Sequence, residues 1–60
     1  MPAKFEVFED KSGDWRFSLV APNGEVIASS EGYTSKDNCL KGVESVKRWA
    51  TEAETVEREG

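Results

Sequence analysis

The sequence predicts an α+β domain, a three-stranded antiparallel meander with one amphipathic helix laid on it. Three observations predict it. Apolar residues alternate with a period of two between residues 4 and 29, and turn residues interrupt them twice. A clean helical period follows between residues 35 and 51. The chain is only 60 residues long, which leaves room for one domain, residues 1–60, and one layer of each kind.

The first strand is read at residues 4–9, where Phe5 and Val7 share one parity and Phe8 takes the other. Asp10-Lys11-Ser12-Gly13-Asp14 is a turn of hairpin type. The second strand, residues 15–21, is the clearest. Trp15, Phe17, Leu19 and Ala21 alternate with Arg16, Ser18 and Val20. Pro22-Asn23-Gly24 then supplies a turn, since proline presets φ and Asn-Gly tolerates positive φ. The third strand, residues 25–29, contains Val26, Ile27 and Ala28.

The polar stretch Ser29-Ser30-Glu31-Gly32-Tyr33 leads into the helix. Thr34-Ser35-Lys36-Asp37 has the form of a capping box starting at Thr34, with Ser35 as the alternative cap. On a wheel of about 100° per residue the helix at residues 35–51 divides into two arcs. One carries Trp49, Gly42, Ala53, Val46, Cys39, Ala50, Val43 and Leu40, with Lys36 and Lys47 at its edge. The other is polar, with Asp37–Lys41 and Glu44–Arg48 spaced as favourable i,i+4 pairs. Residues 52–58 are left open between a helix continuation and a strand, since β-branched Thr55 and Val56 sit among charges.

Size makes the core a problem. Of 22 apolar residues five are alanine, leaving 17 side chains to build a core. So short a chain is marginal alone and usually needs disulfides, a metal or a partner. One cysteine excludes an internal disulfide, and the absence of histidine argues against structural zinc. The strands also carry apolar residues of both parities. Phe5, Val7, Trp15, Phe17, Leu19, Val26 and Ala28 can supply one face, and Phe8, Val20 and Ile27 the other. One helix covers one face, so the second calls for another copy. The homodimer interface candidates are Phe8, Val20, Ile27, Trp49 and Val56.

Charge and chemistry narrow the function classes. The net charge is −4, and the last ten residues contribute −3 of it. That balance argues against nonspecific nucleic-acid binding, which rests on Lys and Arg against phosphates. It would also suit a high-salt environment. No apolar run approaches a membrane span, and Met1-Pro2-Ala3-Lys4-Phe5-Glu6 lacks the stretch of a signal peptide, so the expected compartment is the cytoplasm. Cys39 lies mid-arc on the apolar helix face with no histidine to activate it, and is read as packing. Gly42 is read as a close approach to the sheet, and Trp15 as core rather than a stacking platform. Asp10 and Asp14 lack the ligand count of a calcium loop. No catalytic residue, metal ligand or cofactor is assigned, and the expected function is that of a non-enzymatic interaction or scaffold module. Two alternatives stand beside it. One is a weak nucleic-acid or anion binder using Arg16 and the helix N-terminus, with Tyr33, Thr34, Ser35 and Lys36 as ligand-locus candidates. The other is a small-molecule binder at the dimer cleft.

Several segments follow one another in a distinctive order: Lys4-Phe5-Glu6-Val7, Gly13-Asp14-Trp15-Arg16-Phe17, Asn23-Gly24-Glu25-Val26-Ile27-Ala28 and Gly32-Tyr33-Thr34-Ser35-Lys36, then Cys39, Gly42, Val43, Ser45, Val46 and Lys47. Over residues 4–50 the succession resembles the YegP-like family, small proteins of unknown function that carry this unit once or as a tandem pair. The resemblance implies a β-β-β-α-β fold in which two units associate and exchange their last strands. On this chain the exchanged strand would be residues 54–58, centred on Val56. The family's tail has a helix-ending proline and a more apolar strand, where this chain has Thr51-Glu52-Ala53 and charges. No biochemical activity comes with the resemblance.

Overall fold

A computed structural model describes residues 2–59. The element order is β1 (Lys4–Glu9), β2 (Trp15–Val20), β3 (Val26–Ser29) and α1 (Lys36–Ala50). The strands form one antiparallel sheet in the order β1-β2-β3, so the sheet is a meander with β2 central.

Each hairpin turn is built from its own side chains. In the first, Asp10 Oδ1 accepts from the amides of Ser12 and Asp14, and the Asp10 amide donates to the Asp14 carbonyl. In the second, Asn23 Oδ1 accepts from the Glu25 amide, and the Ala21 amide closes on the Glu25 carbonyl. Gly13 and Gly24 take φ of 87° and 91°, a region other residues enter at a cost.

The β1–β2 register is regular, from Lys4 opposite Val20 to Glu9 opposite Trp15. The β2–β3 register is not. Leu19 pairs with Ala28 but Val20 pairs with Val26, leaving Ile27 as an extra residue. This corrects the simple alternation expected of β3. Val26 stands across from Val20 on the face away from the helix, while Ala28 keeps the parity of Leu19. Two strand ends also retreat: β2 stops at Val20 rather than Ala21, and β3 begins at Val26 rather than Glu25.

Beyond β3 the chain stays tied to β2. Ser30 receives the Phe17 amide on its hydroxyl and gives its own amide to the Phe17 carbonyl. Tyr33 and Trp15 exchange both backbone hydrogen bonds, at 2.7 and 2.8 Å. This bridge keeps the chain extended through Tyr33 and moves the helix start. The cap is Ser35, whose hydroxyl accepts from the Asn38 amide at 3.2 Å, and not Thr34. The helix therefore occupies residues 36–50 rather than 35–51. Its end is marked by the Thr51 hydroxyl donating to the Arg48 carbonyl and the Glu52 amide donating to the Trp49 carbonyl.

The helix direction follows from two contacts. Lys36 Nζ lies over the Trp15 ring and Lys47 Nζ over the Phe5 ring. Trp15 begins β2, whereas Phe5 pairs with Leu19 near its end, so α1 runs in the same sense as β2. Between these contacts Phe17, Cys39 and Val43 form the buried centre, with Phe5, Val7, Trp15, Tyr33 and Val46 packed round them. Phe17 meets Phe5 edge-on at 5.9 Å and stacks on Tyr33 at 6.3 Å. Gly42 earns its place there. A Cβ at that position would lie 2.8 Å from Tyr33 Cζ and 3.2 Å from Phe17 Cε2, and nearer still to the Tyr33 hydroxyl.

On the polar side of α1 the expected i,i+4 pairs do not form. Glu44 instead meets Lys47 at 3.3 Å, and Arg48 turns over the Trp49 ring at 5.1 Å to the centroid. Residues 53–59 make no helix or strand within the single chain, and Val56 is 75% exposed.

Candidate functional site

The residues proposed as a ligand locus lie on two sides of the sheet. Arg16 alternates with Phe17 and so faces away from the helix, and its charge is already engaged. Its Nε donates to Asp10 Oδ2 at 2.6 Å, and its Nη1 donates to the Ser30 carbonyl at 3.3 Å. The Asp10 carboxyl is held below its ordinary value, first by the Arg16 hydrogen bond and then by the Asp14 and Ser12 amides, with partial burial opposing them. Arg16 is raised by the same partner. The pair is a latch across the first hairpin.

The remaining candidates sit at the helix N-terminus on the other side. Tyr33 is spent on the bridge to Trp15 and on covering Gly42. Ser35 is spent on the cap, Lys36 lies over Trp15, and Thr34 is exposed. The expected locus is thus not assembled: Arg16 and the helix start do not converge on one point. Among the described residues no group of three or more Cys, Asp or Glu side chains is placed to hold a metal ion. Cys39 is fully buried against Phe17 and Val43.

Where sequence reasoning placed nothing, the structure has a cleft. Its volume is about 330 Å³, and it is lined by Pro2, Lys4, Glu6, Val20, Ala21, Pro22, Gly24 and Val26. Val20 and Val26 pair across the bulge to form an apolar floor, and Lys4 and Glu6, 3.1 Å apart, form a rim carrying one charge of each sign. Its walls come from two stretches of chain, residues 2–6 and the β2–β3 hairpin at 20–26, and the β1–β2 register brings them together. Lys4 stands opposite Val20 and Glu6 opposite Ser18 in the register, which is what places both on the rim.

The dimer candidates divide accordingly. Phe8, Ile27, Trp49 and Val56 are exposed, as an interface set requires. Val20 is not: at 6% exposure it is buried within its own chain. On the second sheet face, Val20 is thus covered by its own chain while Val26 beside it is 58% exposed.

The chain matches a family model of unknown function. The model of a domain of unknown function, DUF1508, matches residues 10–57, and so extends through the charged tail. A UPF0339 protein of Treponema denticola is 54% identical over 57 residues, covering 95% of this chain and 98% of its own. A UPF0339 protein encoded in the ptx operon 5′ region of Stutzerimonas stutzeri is 50% identical over 58 residues, which span 97% of this chain but only 52% of that protein. The solution structure of a protein from Haloferax volcanii superposes with a TM-score of 0.85 at 46% identity, covering 93% of this chain and 95% of that one. The resemblance noted in the sequence is consistent with these matches, and the chain belongs to the DUF1508 family of small α+β proteins, which has no named biochemical function.

Proposed function

We propose that the chain is a non-enzymatic interaction module of the cytoplasm that works as a homodimer, with residues 54–58 exchanged between two copies. The observation that carries this reading is the one-sided cover of the sheet. The helix buries one face, while Phe8 and Ile27 stay exposed on the rest of the molecule, together with Trp49 and Val56. These are the large apolar side chains that a second copy would cover. The family model continues to residue 57, so the tail belongs to the recurring domain. The Stutzerimonas relative has room in one polypeptide for a second unit of this size.

The non-enzymatic reading is supported by how the reactive groups are used. The one thiol is sealed in the core, and Asp10 is taken up by Arg16 and two amides. The nucleic-acid or anion reading loses support for the same reason, since its principal cation is the one paired with Asp10. Sedimentation of the full chain at micromolar concentration tests the proposal: a dimer is expected, and a folded monomer would refute it.

A further inference from the structure

The chain has two side-chain amides, Asn23 and Asn38, and no glutamine. They sit in opposite settings. Deamidation at neutral pH begins when the backbone nitrogen of the following residue, stripped of its proton, attacks the asparagine Cγ. After Asn38 that residue is Cys39, which is fully buried and whose amide donates to the Ser35 carbonyl at 3.1 Å. Asn23 is exposed at the tip of the β2–β3 hairpin, and the residue after it is Gly24. Glycine has no side chain to hinder the attack. A Cβ at Gly24 would meet nothing within 4 Å, so the space around it is open to solvent base.

Two hydrogen bonds of the closed turn oppose the reaction. The Gly24 amide donates to the Ala21 carbonyl at 2.9 Å, so the nitrogen that must lose its proton is using it in a bond. Asn23 Oδ1 accepts from the Glu25 amide at 3.1 Å, which fixes the carboxamide. Both bonds lie beyond the ladder, since β2 ends at Val20 and β3 begins at Val26, and the tip can open while the sheet stays paired. In the open tip a solvent base takes the Gly24 amide proton. The nitrogen then bonds to Asn23 Cγ, and the carboxamide C–N bond breaks to release ammonia, leaving a cyclic succinimide. Water opens the ring. Breaking the new Cγ–N bond leaves aspartate. Breaking the bond to the α-carbonyl leaves isoaspartate, whose main chain runs through Cβ and Cγ and is one atom longer. That extra atom falls between Ala21 and Glu25, whose backbone bond closes the hairpin. Either product adds one negative charge to a chain already at −4.

We infer that Asn23–Gly24 is a self-modification site of the chain, reacting with water alone, and that the closed β2–β3 turn holds the reaction back. The test incubates the full chain at mildly alkaline pH, in buffer and in guanidinium chloride, and follows its tryptic peptides by mass spectrometry. Cleavage after Arg16, Lys36 and Lys41 puts Asn23 and Asn38 on separate peptides, residues 17–36 and 37–41. A gain of one mass unit is expected first in residues 17–36, with the product separating into aspartate and isoaspartate forms. It is expected to be slower in buffer than in guanidinium by about tenfold or more, because two hydrogen bonds must open together. Asn23→Ser is expected to abolish the gain in residues 17–36 in both solvents. No gain there in guanidinium, or a gain led by residues 37–41, overturns the site. Comparable rates in buffer and guanidinium overturn the restraint by the turn.

Discussion

Gly42 is held between two opposing effects. Alanine there would gain about 1 kcal/mol of helix propensity. Its Cβ would also press on the Tyr33 ring at 2.8 Å, with Phe17 behind it. Contact that close outweighs propensity, so Gly42→Ala is expected to lower stability, and Gly42→Leu by about 3 kcal/mol, as overpacking does. Urea unfolding measures both. Tyr33→Phe in the Gly42→Ala background should recover part of the loss, because it removes the nearest atom. Asp10 governs the acid limb. Its carboxyl has a lower value in the folded chain than the ordinary 3.8. Its contribution is therefore complete above that value and is lost as pH falls through the lower folded one. The urea midpoint of the native chain should drop below about pH 4, and Asp10→Asn should flatten that drop.

At the scale of elements, the strands and helix were legible because their periods are clean. What escaped was set by contacts that a periodic reading does not see, some distant in sequence and some between neighbours. Of the two caps the sequence allows, Thr34 and its alternative Ser35, the Tyr33–Trp15 bridge selects Ser35 by keeping the chain extended. Ser35→Ala should cost about 1 kcal/mol, and Thr34→Ala within about 0.5 kcal/mol of nothing, by thermal or urea unfolding. The face of Val26 was misread because alternation does not reveal a bulge at Ile27. The Glu44–Arg48 pair was misread because Arg48 stacks on Trp49 instead. The tail's state remained undecided in the sequence, since Thr55 and Val56 favour a strand while their charged neighbours do not favour burying one. Deleting residues 51–60 separates the roles. An exchanged segment predicts loss of both dimer and fold, measured by sedimentation and circular dichroism.

At the scale of the molecule, the sequence showed too few large side chains for a secure core, and the structure shows where they go. Phe17, Cys39 and Val43 form one buried centre under the helix, and Val20 is buried apart from them on the other face of the sheet. The cleft was not legible because Pro2, Val20 and Val26 are brought together only by the register. The ligand locus was legible only as residue types, and the fold placed Arg16 and the helix start on opposite faces. What the sequence did convey was the shortage itself, for which the proposed second copy is the remedy. Sedimentation equilibrium at micromolar concentration tests that most directly. The account expects a mass of about twice the 6.7 kDa chain, and a stable, folded species of single-chain mass would contradict it.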